Sequence, residues 1–245
     1  AKLRAVSGIP TNCDLFSPPS SAWALQRMEL YESGDHINKN HLPLELGDIF
    51  ERVGADSNKR YILLAQPCDL MVRGDGKRHP EMYRVPLAEV VTAPEAPLYS
   101  EEMPYFGESP PQRWYIKLKL IHFVRVCLLD LCVFNQDGIA RHIVNGEAPS
   151  DIRPAWKAHH KFLSRHINRL VCRANLLAHA PKDSKKITQF KEELTRDIGG
   201  LLFDDDLFKG SLTEADGTRA VTYDCKRVGR MSRARAIGLL MSYTA

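Results

Sequence analysis

Between Leu46 and Val144 the apolar positions follow the two-residue period of half-buried strands. The clearest case is Tyr115-Ile116-Lys117-Leu118-Lys119-Leu120, where both lysines lie on the face opposite Ile116, Leu118 and Leu120, as an antiparallel strand with one wet side requires. The same reasoning predicts strands at 48–53, 61–65, 82–91, 113–126, 128–134 and 139–144. Asn135-Gln136-Asp137-Gly138 supplies a hairpin turn, because Asp and Gly tolerate positive φ. Thr92 to Pro111 holds five prolines and four acidic residues, so it reads as a long loop.

Helical spacing frames this strand-rich stretch. Ser21 can cap a helix running through Trp23, Leu25, Met28 and Leu30 to a stop at Gly34. Pro154 stands where a first helical turn accepts proline, and apolar residues at 156, 163, 167, 170, 174 and 177 recur at helical intervals. Ser184 caps a second helix through Ile187, Phe190, Leu194 and Ile198, which Gly199-Gly200 ends. Arg233 to Ala245 reads as a third helix with no stop signal, which points to a piece of a longer polypeptide. The expected fold is therefore α+β: an N-terminal helix and linker over 1–45, a small SH3-like antiparallel β-barrel over 46–149 and a helical region over 150–245. Strands followed by helices, without alternation, argue against a doubly wound parallel sheet.

The 245 residues include 44% apolar and 26% charged, enough for a buried core, and the greasiest stretch, Leu118 to Phe134, is broken by Lys119, His122, Arg125 and Asp130. No membrane span is expected, and no basic flank followed by an apolar core marks a signal peptide, so the expected location is the cytoplasm. The net charge of +4 conceals a segregation. Ile152 to Lys182 carries seven Lys or Arg and no acid, and Cys225 to Ala245 carries five and none, leaving 22 basic against 30 acidic residues elsewhere. In the long helix the cations Arg153, Lys157, Lys161, Arg165, Arg169 and Arg173 recur every four positions, which advances only about 40° per step at 100° per residue. They form a slowly winding ridge opposite Trp156, Leu163 and Leu170, with His159, His160, His166 and His179 nearby. Like charges at i, i+4 repel by a few tenths of a kcal/mol per pair. Together with Arg227 and Arg230, this ridge is the expected binding surface for nucleic acid or an acidic protein partner. The competing reading is a solvated face neutralised by Asp204-Asp205-Asp206 or Glu192-Glu193.

A second candidate is the loop after the strand at 61–65. Gln66-Pro67-Cys68-Asp69-Leu70 leads into Arg73-Gly74-Asp75-Gly76-Lys77-Arg78, and a proline just past a strand end holds the next side chains at the sheet rim. Gln66, Cys68, Asp69 and Arg73 are its candidate residues. Cys68 could act as a nucleophile with Asp69 orienting His79 or His122, but a Cys beside a turn-capping Asp is more often structural, and a partly packed, slowly reacting thiol is expected. None of the six cysteines forms a Cys-x-x-Cys pair, no histidines stand at i, i+4, and no glycine-rich phosphate loop precedes a helix. No metal or cofactor is expected, and reduced thiols are the better reading than disulfides.

Gly47-Asp48-Ile49-Phe50 followed by Tyr61-Ile62-Leu63-Leu64-Ala65-Gln66 resembles the opening strands of the SH3-like barrel in PemK-like toxins, the ribonucleases of bacterial toxin–antitoxin modules. In that family a Gly-Asp enters the first strand and a later apolar strand ends in Ser or Thr; Ala65-Gln66 stands at that place here. Residues 47–78, with Arg227-Val228-Gly229-Arg230, also look like uncharacterised bacterial regulatory or defence proteins that carry a receiver-like domain upstream. The resemblances imply two functions. One is a non-catalytic binding module of a larger regulatory or defence protein, working beside a receiver-like or kinase partner. The other is a ribonuclease acting with residues around Cys68 to Arg78.

Overall fold

The structure, a computed structural model, describes residues 19–54, 59–79, 82–107, 112–178, 207–215 and 217–244. Helix α1 (Pro19–Leu30) leads into β1 (Tyr31–Ser33) and the short α2 (Gly34–Lys39). Strands β2 (Asp48–Arg52) and β3 (Arg60–Leu63) follow, then a single turn, α3 (Pro67–Leu70), and β4 (Arg84–Thr92), β5 (Ser100–Glu102) and β6 (Trp114–Arg125). The chain continues through α4 (Val126–Val133), β7 (Ile139–Ile143), α5 (Pro154–Ala178), β8 (Gly210–Ala215), β9 (Thr218–Met231) and α6 (Arg233–Thr244). All strand pairs are antiparallel, in the order β1-β9-β2-β3-β4-β6-β5, with β7 and β8 also paired to β9. The fold is α+β, built on a curled half-barrel.

The middle of the sheet, at β2 and β3, is buried on both sides. Along β3, Tyr61 and Leu63 enter one core with Phe50, α4 and the Trp156, Leu163, Ile167 stripe of α5, while Ile62 and Leu64 enter the other with Ile49, Ala236 and Leu239. This explains why 61–65 is apolar without interruption: a strand covered on both faces has no wet side.

Three expectations are corrected. Residues 128–134 are not a strand but the greater part of α4, whose eight residues include seven that are buried, so no polar face advertises the helical period. Gly34 does not end α1; the chain first turns into β1, and Gly34 opens α2, capped by the Ser33 hydroxyl accepting from the Asp35 amide at 3.2 Å. The region 150–245 is not wholly helical, because β8 and β9 form a hairpin, and β9 is the longest strand of the sheet. Its buried positions alternate strictly through 221, 223, 225, 227 and 229, but an arginine occupies one of them and masks the pattern. The predicted helix at 184–198 lies outside the described residues.

That arginine is the centre of a buried charge group. Asp48, at the start of β2, is fully buried and accepts from Arg230 Nε at 2.5 Å and Arg227 Nη1 at 3.5 Å. Arg227 Nε donates to Asn38 Oδ1 at 2.7 Å, and the Asn38 amide donates back to the Arg227 carbonyl at 2.9 Å. The carbonyls of Leu42 and Pro43 accept further guanidinium hydrogens, and the Glu45 carboxylate lies 3.3 Å from Arg230 Nη1. Gly138, at φ +71°, makes room: a Cβ there would lie 2.2 Å from Asn38 Nδ2. Burial works against the Arg227 charge and Asp48 works for it, so the group survives only because each charge has its counterpart. Replacing Asp48 by alanine strands two guanidinium groups and is expected to cost about 3–5 kcal/mol in urea unfolding. Arg165→Ala, on the exposed surface, is expected to stay within about 0.5 kcal/mol in the same assay.

Candidate functional site

Helix α5 divides as its spacing requires. Trp156, Leu163, Ile167, Leu170 and Val171 are buried against α4 and the sheet, while Arg153, Lys157, Lys161, Arg165 and Arg169 lie on the outer side, away from that core. Among the described residues none of these five side chains makes an ion pair or a hydrogen bond, so five cations stand on one face without a local counter-charge. The side chain of Arg173, the predicted sixth, lies outside what the structure describes, as do His179 and the acids expected to neutralise the ridge, Glu192, Glu193 and Asp204 to Asp206.

Other members of the predicted surface are elsewhere. Arg227 and Arg230 are buried and committed to Asp48, so they cannot reach an external phosphate; a count of charges does not show this pairing. His159 and His160 are buried rather than lining the ridge, because their positions fall on the packing side of α5, and His166 is exposed.

His159 instead anchors the candidate loop. Asp130, the single acid of α4, is fully buried and receives Arg78 Nη2 on one oxygen and His159 Nε2 at 2.9 Å on the other. Burial alone would raise the Asp130 carboxyl, but the Arg78 guanidinium and the His159 ring outweigh it and hold the group below the usual carboxylate range. His159 Nδ1 lies 2.7 Å from the carbonyl oxygen of Gly76, so hydrogen-bond partners flank both ring nitrogens. Arg78 also donates to the Leu70 carbonyl and lies over the Trp156 ring at 5.4 Å. Gly76 rests on the helix backbone, at φ +79°, where a Cβ would fall 2.6 Å from the carbonyl carbon of Ala158. Asp130, Arg78 and His159 therefore clamp the loop 66–78 onto α5. The sequence carried a signal for this in a lone acid inside an apolar run, read there only as a break in a membrane span.

The loop's own candidates face outward. Gln66, Cys68 and Arg73 are exposed and Asp69 is half-buried. Cys68 is thus not packed as expected, since the Pro67 turn sets it on the outer side of α3 while Leu70 takes the buried position. Its Sγ lies 3.5 Å from Gln66 Oε1 and 3.6 Å from Asp69 Oδ1, both acceptors, and among the described residues no hydrogen bond joins Cys68 or Asp69 to His79 or His122. A neighbouring cation favours the thiolate, and the hydrogen-bond partners of Cys68 are instead an amide oxygen and a carboxylate. Among the described residues no group of three or more His, Cys, Asp or Glu is placed to hold a metal ion, and no helix is long and apolar enough to cross a membrane.

No family model matches the chain, and comparisons with curated proteins and with solved structures find no match. The function is therefore argued from the geometry of the site.

Burial pushes His160 down to about 4, with His142 and His159 nearby adding to the effect, and burial also lowers His142 against a hydrogen bond from its ring to Asn168. Both rings stay neutral in the fold at a pH where the unfolded chain, with histidines near 6.5, takes up protons. Folding stability is accordingly expected to be complete above about pH 6.5 and to fall as the pH drops toward 4. The check is the melting temperature across that interval: His160→Phe should flatten the fall, and an unchanged slope would show that His160 does not carry it.

Proposed function

We propose that the chain is a non-catalytic binding module, of the kind that serves a larger regulatory or defence protein, and that it holds nucleic acid through the phosphate backbone along α5. The observation that supports this most is the row of five outward cations, Arg153, Lys157, Lys161, Arg165 and Arg169, with no counter-charge among the described residues. At 1.5 Å per residue the row spans roughly 24 Å. A duplex presents one charge per about 1.7 Å of axis, so a row of this length meets several phosphates at once. Long flexible side chains at four-residue spacing contact phosphates without reading bases, so affinity independent of sequence is the expected behaviour.

The rest of the molecule supports a holding role. We read the half-barrel as an SH3-like scaffold whose part is to fix α5: the Trp156 stripe and the Asp130–His159 clamp face inward, leaving the ridge side free of packing. The alternative, a PemK-like ribonuclease, would have to work with Gln66, Cys68, Asp69 and Arg73, and the Cys68 sulfur has acceptors as its hydrogen-bond partners. An acidic protein surface would suit the same cations, and salt dependence separates it from nucleic acid through counterion release.

Reversing Lys161, Arg165 and Arg169 to Glu is expected to weaken binding of a 20-base-pair duplex by more than tenfold at low salt. The slope of log affinity against log salt should flatten by about 0.9 for each phosphate that the variant no longer neutralises. The melting temperature should stay near that of the parent chain. Fluorescence anisotropy at several salt concentrations measures this, and an unaltered slope sinks the phosphate reading. Incubation with single-stranded RNA is expected to leave it intact; cutting that disappears in Asp69→Ala or Arg73→Ala would decide for the ribonuclease.

A further inference from the structure

A cleft of about 320 Å³ opens beside the loop clamp, where the segment before β2, the α3 turn and the starts of α5 and α6 meet. Its floor is apolar and buried, built from Leu44, Leu46, Leu70 and Trp156. Leu44, Leu70 and Trp156 belong to one core and Leu46 to the other, so the cleft lies at the seam between them. Trp156 is a stiff wall, held between the Arg78 guanidinium and the Phe134 ring at 5.8 Å. At the mouth, Met71 is 59% exposed and Ile237 43%, large apolar side chains with nothing over them among the described residues.

Three charged residues line this cleft: Glu45, Arg153 and Arg233. Glu45 is spoken for, since its carboxylate reaches Arg230 and, with Asp48, balances the charges of Arg227 and Arg230. Arg153 and Arg233 are surplus: both are exposed, and among the described residues neither makes an ion pair or a hydrogen bond through its side chain. Each also stands at the start of a helix that has no acid in its first turn, where the helix dipole disfavours a cation. Two uncompensated cations over an apolar pocket of this size form a site complementary to a molecule with an apolar body and an anionic head.

We propose that this cleft binds a small amphipathic monoanion, with its hydrocarbon or ring against Leu70, Trp156 and Ile237 and its carboxylate held by Arg153 and Arg233. The site lies apart from the middle of the α5 ridge and shares only Arg153 with it, so a ligand here would act on the end of the nucleic-acid surface rather than along it.

Octanoate and its uncharged counterpart octanol are the probes, titrated into the full chain while amide shifts are followed by NMR. Octanoate is expected to shift residues 43–46, 67–72, 153–156 and 233–237 saturably and to bind at least tenfold more tightly than octanol. Arg153→Ala with Arg233→Ala should remove that preference while leaving the octanol affinity within twofold. Ile237→Trp, which fills the cleft from its exposed rim, should abolish binding of both with the spectrum otherwise native. Equal binding of octanoate and octanol, shifts that map elsewhere, or no saturable shift at all would overturn the proposal.

Discussion

Everything in this molecule is arranged around a carboxylate that has no access to water. Asp48 can remain ionised only if cations are brought to it, and the two that serve come from β9, 179 and 182 positions further along the chain. The attraction itself does little more than repay the cost of removing three charged groups from solvent. Its effect is on alternatives: any arrangement that shifts β9 against β2 leaves a bare charge in a low-dielectric interior. Asn38 and the carbonyls of Leu42 and Pro43 accept further guanidinium hydrogens, which ties α2 and the segment after it to the same point. One small cluster therefore sets the register of the closing strand and the position of the N-terminal elements together.

A second buried carboxylate does for the helices what Asp48 does for the sheet. Asp130 joins α4, the loop carrying Arg78, and α5 through His159. Because His159 is tied inward, and because Trp156 and Leu163 pack on the same side, the rotation of α5 about its own axis is settled. The cationic side then has only solvent to face. The exposed ridge is thus a consequence of interior bonding, and the like-charge repulsion along it is tolerated because the helix is held by its other face.

The two surfaces with functional promise share this origin. The ridge exists because α5 is clamped, and the apolar cleft exists because the clamp holds the α3 turn a short distance from the starts of α5 and α6. Both carry arginines that the interior charge groups do not neutralise. Arg227 and Arg230 are matched to Asp48, whereas Arg153 and Arg233 are the cations to which we assign an external anion.

Residue pattern by itself determined the elements whose two sides differ in environment. Helix α5, with cations opposite an apolar stripe, was legible because amphipathic periodicity is a local property of the chain, and the alternation of β6 marked a strand although its faces divide less cleanly, with Leu120 exposed and Tyr115 buried. The α+β class and the exposure of the ridge followed from the same signal. Where both sides of an element are buried there is no periodicity to read, and α4 passed for a strand for that reason. Partners far apart in sequence were equally hidden. Arg227 read as a surface cation and Asp130 as an interruption, because a buried charge is recognisable only when its counter-charge is in view, and only the tertiary structure brings Asp48 to the one and Arg78 to the other. The cleft belongs wholly to that level: its walls come from four segments between 43 and 237, and no window of the sequence contains it.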